Sequence, residues 1–430
     1  MGCSGDAKGQ RRILRAWAPL EMAWLLMAVE GPFIAAVIAR LVDPTLNLAA
    51  FGVAFPLAML FESPIILIMS ASTALVADRD SYGKLKRFTW GLNALITIAM
   101  LLFVLPPVFT WVTRSLMGLP EALAALAHGT CVLMLPWPAA IGYRRFYQGL
   151  LIRRGLTHRV AYGTALRLGS MGATALLLAT FTHWPGAWVG AAALSTGVFL
   201  EAAASRFWAR GCVGDLKRRE PEGQRLSYAA IATFYLPLAL TSMLNLGVNP
   251  LISFFLGHSH MALESLAVMP VVNFFIFMFS TAGLTLQEVA IPVLGGGAEE
   301  RAALRRFACT TALVVSVLLV MVAFTPLSRM WLQGVAGLAP DLATLAVLPV
   351  AILVIQPALT VLASYQRASL VVSRTTRPIT WASVLEVCCI ALVLLLLTRL
   401  CGWVGATAAA CALVAGRAAS SLYLLPKLKA

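Results

Sequence analysis

The sequence predicts an all-α membrane protein with twelve transmembrane helices in two parallel six-helix repeats, and three observations carry that prediction. Of the 430 residues 60% are apolar and only 12% are charged, half the ~25% charged content of soluble domains. Apolar segments of about 20 residues, the length that spans hydrocarbon as a helix, recur from end to end and leave no stretch for a soluble domain. Motifs of the first half return in the second at a near-constant offset. Helices are expected rather than a β-barrel, whose strands would alternate apolar and polar residues in short segments.

In chain order the spans are expected at 14–39, 47–76, 87–110, 122–148, 158–182, 187–208, 228–256, 262–291, 304–325, 342–370, 378–398 and 403–425. The first follows a basic tail (Lys8, Arg11, Arg12, Arg15) that resembles a signal peptide. Its length, its two acids Glu21 and Glu30, and the lack of a small-residue cleavage site make it an uncleaved first helix. Several spans exceed the minimum, so tilt or kinks are expected. Pro56, Pro64, Pro136, Pro138, Pro270, Pro349 and Pro357 supply positions for kinks.

The repeat is clearest in the stretch Pro19–Pro32, whose two prolines return as Pro237 and Pro250, 218 positions on in both cases. Leu119-Pro120-Glu121 is echoed by Ala339-Pro340-Asp341, Tyr147-Gln148 by Tyr365-Gln366, and Gly186-Ala187-Trp188-Val189-Gly190 by Gly402-Trp403-Val404-Gly405. Six helices per repeat bring both halves in from the same side, so the repeats are parallel. The expected division is an N-lobe over 1–209, a charged, Gly- and Pro-containing cytoplasmic linker over 210–226, and a C-lobe over 227–430.

The net charge of +15 reflects topology rather than nucleic-acid binding. Of the 33 Lys and Arg residues, 28 fall in alternate segments that include the N-terminal tail, four (Arg40, Arg114, Arg329, Arg399) fall on the opposite side, and Arg167 lies within the fifth span. The positive-inside rule then predicts a multi-pass protein of the cytoplasmic membrane with both termini cytoplasmic and with membrane lipids as neighbours. The basic loops are also expected to touch anionic lipid. The eight cysteines show no CxxC spacing, His258 and His260 lack a third ligand for a metal, and no GxxxxGK[ST] motif provides for nucleotide hydrolysis. No cofactor is expected; the driving force is an ion gradient, the membrane potential or the substrate's own gradient, with H⁺ or Na⁺ as the candidate coupling ion.

Ionisable and amide groups within spans are the candidate functional residues, because a charge at mid-bilayer costs at least ~2.5 kcal/mol and needs a partner or a purpose. Glu30 lies deep in the first span beside Pro32, and Glu62 lies deep in the second beside Pro64; both read as ion-coupling carboxylates. Arg167 reads as a substrate contact, or as a partner of Glu62 or Glu201. Asn245 and Asn249, one turn apart before Pro250, restate the Glu30–Pro32 arrangement without its charge. Asn273 and Gln356 complete the substrate-binding set. Glu21, Glu201, Glu288 and Glu386 are expected to be structural, solvated or paired with nearby arginines.

Leu48-Ala49-Ala50-Phe51-Gly52-Val53-Ala54, at the start of the second span, resembles a pattern of the multidrug and toxic compound extrusion (MATE) exporters. These belong to the multidrug/oligosaccharidyl-lipid/polysaccharide (MOP) flippase superfamily. The progressive ankylosis (ANK) branch is the closest resemblance. Its pattern is similar to Phe61-Glu62-Ser63-Pro64 with Leu75-Val76 and Arg79-Asp80, to the Pro237…Pro250 spacing, and to Val384-Leu385-Glu386 followed by Gly402 to Thr407. The resemblance implies a two-lobe bundle exporting a small organic solute, in the ANK case anionic metabolites such as pyrophosphate, nucleotides or citrate. A MATE-type organic-cation antiporter and a lipid-linked flippase are the neighbouring alternatives. An intramembrane transferase is the alternative of a different class, and the dispersed histidines argue against it. The reading is thus a secondary transporter, not an enzyme, working as a monomer by alternating access.

Overall fold

The computed structural model describes residues 2–219, 226–294, 297–373, 375 and 377–428. Among them, twelve helices are long and apolar enough to cross a membrane. In order, spans 1 to 6 are Gln10–Ile38, Pro44–Glu62, Arg79–Phe103, Glu121–Arg153, Thr157–Phe181 and Gly186–Trp208. Spans 7 to 12 are Tyr228–Gly257, Ala262–Leu294, Glu299–Ala323, Pro340–Val372, Arg377–Leu400 and Gly405–Lys427. No strand forms among the described residues; one isolated bridge joins His260 to Val404.

Proline chemistry accounts for most of the breaks. Span 1 is interrupted at Val29, between helices ending at Ala28 and beginning at Glu30, because Pro32 has no N–H for the Ala28 carbonyl. The second expected span, 47–76, is in fact two helices: Pro44–Glu62 and Ile68–Leu75 are separated by turns. Pro64 removes the donor that would reach the Leu60 carbonyl, and the Ser63 hydroxyl donates to that oxygen at 2.6 Å instead. Spans 4 and 10 break before Trp137-Pro138 and Gln356-Pro357. Pro56, Pro270 and Pro349 stay inside continuous helices, so those expected kinks interrupt no helix. Span 7 is continuous through Pro237 and Pro250, unlike its repeat counterpart, span 1.

The helices pack as two compact units, each of which takes its first helix from the other repeat. One unit is Met1–Arg40 with Phe255–Ala430, holding span 1 and spans 8 to 12; the other is Leu41–Phe254, holding spans 2 to 6 and nearly all of span 7. The sequence boundaries 1–209 and 227–430 follow the repeat, whereas the packing units exchange spans 1 and 7. In the Leu41–Phe254 unit the core gathers Ile65, Phe146, Tyr147, Leu150 and Tyr235. In the other unit Ile13 of span 1 packs with Leu286, Leu304, Phe307 and Ala368. Within the expected linker, Arg210–Arg218 is a helix anchored by buried Cys212, Val213 and Leu216; residues 220–225 lie outside the described residues.

The repeat is written into local backbone geometry as well. After span 3 a π-turn at Trp111–Leu116 leads to Gly118 in the left-handed region (φ 66°), and after span 9 one at Met330–Val335 leads to Gly337 (φ 75°). Glycine fits there because a side chain at positive φ is strained. The Leu119 and Leu338 amides then donate to Thr113 and Leu332 carbonyls, both at 2.9 Å. Asn47 accepts from the Ala187 amide at 2.9 Å, tying span 2 to the start of span 6. Ser265, 218 positions beyond Asn47, does the same for Ala406 of span 12 at 3.0 Å. Each caps an amide of the first helical turn that has no partner within its own helix.

Candidate functional site

The candidate residues divide between the two units. In the unit holding span 1, Glu30 opens the helix after the Val29 break and is half-buried. Beside it Gly31 admits the Phe274 ring so closely that an added Cβ would sit 2.4 Å from it. Asn273, next to that ring in sequence, is half-buried, and Gln356 is buried at the head of the second helix of span 10. The Gln356 side-chain oxygen has no hydrogen-bond partner among the described residues.

A buried polar contact in this unit involves Glu21, for which the sequence implies a structural role. Glu21 is 8% exposed and lies eleven residues into span 1 from Gln10, about 16 Å along the helix at ~1.5 Å per residue. Thr281 and Thr285 of span 8 each donate a hydroxyl to its carboxylate at 2.7 Å. No arginine pairs with it among the described residues. The same hydroxyls also lie 2.8 Å from the Met278 carbonyl and 3.0 Å from the Thr281 carbonyl. A hydroxyl has one hydrogen and can accept as well as donate. When the carboxyl is ionised both threonines donate to it; when it is protonated, one can turn to its backbone carbonyl and accept the new O–H. The arrangement therefore offers the carboxyl hydrogen-bond partners in either of its forms. The sequence signal was the Thr281/Thr285 pair, one turn apart in an otherwise apolar span.

In the other unit the structure brings Glu62 and Arg167 into one charged cluster. Glu62 is 4% exposed and closes its helix; its charge and those of Arg144, Arg167 and Glu201 surround Arg145. Glu201, fully buried, binds Arg144 through a short ion pair, Arg167 Nε at 3.4 Å and the Gln148 amide at 3.0 Å. Spans 4, 5 and 6 are thereby tied together by charge-assisted contacts, which a buried charge requires. The repeat position is occupied by a second triad, in which Glu386 of span 11 lies 3.1 Å from Arg417 of span 12 and 3.7 Å from Arg367 of span 10. Gln366 completes the parallel, donating to the Ser421 carbonyl at 3.0 Å.

Asn245 is exposed on span 7, and Asn249 is half-buried one turn on. The Asn249 carbonyl accepts from Ser253 at 3.2 Å, and that hydroxyl also reaches the Gly52 carbonyl at 3.2 Å. The His258–His260 loop is held by backbone, with the Gly405 amide donating to His260 at 3.2 Å. No group of three metal-ligating side chains occurs among the described residues.

Comparison with solved structures defines the fold class. The chain is similar to the inward-facing conformation of a multidrug resistance MATE family transporter of the MOP superfamily, with a TM-score of 0.77, 15% identity, and 96% of this chain and 98% of that one covered. It is also similar to the lipid II flippase MurJ in an inward closed conformation, with a TM-score of 0.73, 12% identity, and 96% and 88% covered. A MOP superfamily transporter from Pyrococcus furiosus, described as having a binding pocket of reverse polarity, gives a TM-score of 0.66 at 14% identity over 98% and 96%. The chain is therefore a multi-pass membrane protein with a MATE-like fold. No protein-family model and no curated protein matches its sequence, and the likeness to the progressive ankylosis branch has no counterpart among these similarities.

Proposed function

We infer that the protein is a secondary transporter that moves a small organic solute by alternating access, coupled to H⁺ or Na⁺ through the carboxylates of span 1. The observation that carries this reading is Glu21, a buried acid inside a membrane span whose two hydroxyl partners accommodate either protonation state. Glu30, at the break of the same span, is the second coupling carboxylate, and its helix break allows the two halves of span 1 to move separately. Ion binding at such a site shifts a conformational equilibrium only to the extent that it is tighter in one state, and a carboxyl that changes its neighbours between states meets that condition. Duplicated six-helix bundles with a MATE-like fold over nearly the full chain support the same reading.

Glu62 and Arg167 are read as lobe-internal, joined through the Arg145 and Glu201 network, while Asn245, Asn249, Asn273 and Gln356 are the polar groups offered to substrate. The expected anionic metabolite rests on the sequence resemblance alone. A lipid-linked substrate is the second reading, favoured by the similarity to the MurJ fold. The orientation with both termini in the cytoplasm follows from the distribution of basic residues. Uptake of organic anions, organic cations and a fluorescent lipid-linked saccharide into reconstituted vesicles, with and without imposed H⁺ or Na⁺ gradients, tests this reading. Gradient-independent movement of all three would refute it.

A further inference from the structure

The Leu41–Phe254 unit carries a basic cavity that the transport reading does not use. It measures about 660 Å³ and is lined by Arg79, Tyr82, Gly83, Lys86, Arg87 and Trp90 of span 3 and by Lys217 of the Arg210–Arg218 helix. That volume is in the range of small-molecule sites. Four of the seven lining residues are cations and none is an acid.

The acids nearby are committed elsewhere. Asp78 caps span 3 by accepting from the Ser81 amide at 2.8 Å, Asp80 pairs with Lys84 at 2.7 Å, and Asp215 pairs with Arg154 at 3.2 Å. Among the described residues no carboxylate lies within ion-pairing distance of Arg79, Lys86, Arg87 or Lys217. Glu220 and Glu222, the next acids in sequence, lie outside the described residues. Lys86 rests over the Trp90 ring at 5.4 Å, which fixes the stem while leaving ammonium donors for a ligand. Gly83 opens the wall, since a Cβ placed there meets no heavy atom within 4 Å.

The same helix says what kind of ligand fits. Beyond the cavity, span 3 exposes Leu95, Ile98, Leu101 and Leu102, which continue the Arg87 face at helical spacing. Cations and an aromatic ring at one end of an exposed apolar stripe match a phosphate group attached to hydrocarbon, the arrangement of a lipid at a membrane interface. The short helix that supplies Lys217 buries Cys212, Val213 and Leu216 and turns its charged residues outward, as interfacial helices do. We propose that this cavity binds the phosphate headgroup of an anionic glycerophospholipid, with the acyl chains lying along Leu95, Ile98 and Leu102.

Native mass spectrometry of the full-length protein titrated with phosphatidylglycerol, phosphatidylcholine or inorganic pyrophosphate tests the assignment. Phosphatidylglycerol is expected to bind in preference to phosphatidylcholine. The double variant Lys86→Gln/Arg87→Gln should weaken it about 30-fold, roughly five-fold for each cation removed near an anionic headgroup. Gly83→Leu, which fills the cavity without removing charge, should weaken it as well. Arg11→Gln/Arg15→Gln removes the same charge from residues that do not line the cavity and should change binding by no more than about two-fold, since salt screens charges outside direct contact. Equal weakening by the Arg11/Arg15 pair, or wild-type binding by Lys86→Gln/Arg87→Gln, would overturn the site. Binding of pyrophosphate but not lipid, with the same variant dependence, would overturn the lipid assignment. Should Gly83→Leu fail to fold, the charge variant and its control decide the matter alone.

Discussion

Arg167 and Glu386 stand at the same step of the two repeats, 219 positions apart, and carry opposite charges. Each faces a glycine on the following span: a Cβ on Gly197 would lie 3.0 Å from the Arg167 carbonyl oxygen, and one on Gly416 would lie 2.9 Å from that of Glu386. Each is also paired to that following span, Arg167 to Glu201 and Glu386 to Arg417. The repeats thus keep an ion-paired joint between their fifth and sixth helices while transposing its charges.

Removing the acid from either joint should destabilise the protein unequally. Glu201→Gln takes away the carboxylate that Arg144 and Arg167, 4% and 7% exposed at the side chain, share, a loss of about 3–5 kcal/mol for a buried pair. Glu386→Gln strands arginines that are 17% and 24% exposed and should cost less. Thermal unfolding in detergent is expected to rank Glu201→Gln well below Glu386→Gln, with wild type highest.

Glycine substitutions should separate packing from helix propensity. A Cβ on Gly283 would meet the Val361 amide nitrogen at 2.7 Å, so Gly283→Ala forces spans 8 and 10 apart and is expected to cost about 1–3 kcal/mol. Gly169, also within a helix, has open space around it, and Gly169→Ala should be neutral or stabilising by up to ~1 kcal/mol. The melting temperature should fall in Gly283→Ala and stay level or rise in Gly169→Ala.

Asn47→Ala and Ser265→Ala remove equivalent acceptors from the Ala187 and Ala406 amides. Each leaves a buried N–H unpaired, at a cost of about 1–3 kcal/mol. Hydrogen exchange should rise at the start of span 6 in the first variant and of span 12 in the second, with the rest of each unit unchanged.

The fold was legible because its signals are long-range and redundant: recurring apolar spans, alternating basic loops, and prolines repeated at 218 positions all point to one architecture. The exchange of spans 1 and 7 between packing units left no trace in the repeat, since a repeat records ancestry of segments and not which helices touch. Pro64 showed its break, while Pro56 and Pro270 did not reveal that their helices continue, because neighbouring helices decide whether a freed carbonyl is satisfied in place. Glu201 and Glu386 were expected to find arginines, and they do. Glu21 was expected to be solvated or paired with an arginine, whereas it is buried against threonines 260 and 264 positions away; hydroxyls in an apolar span carry no charge pattern to follow.

Coupling through span 1 is the central claim, and gradient-driven uptake into reconstituted vesicles tests it most directly. Glu21→Gln and Glu30→Gln, singly and together, should be compared with wild type for uptake under an imposed H⁺ or Na⁺ gradient and for exchange without one. The double variant is expected to lose gradient-driven accumulation while keeping downhill exchange. Accumulation by the double variant at the wild-type rate, with unchanged dependence on the gradient, would contradict the account.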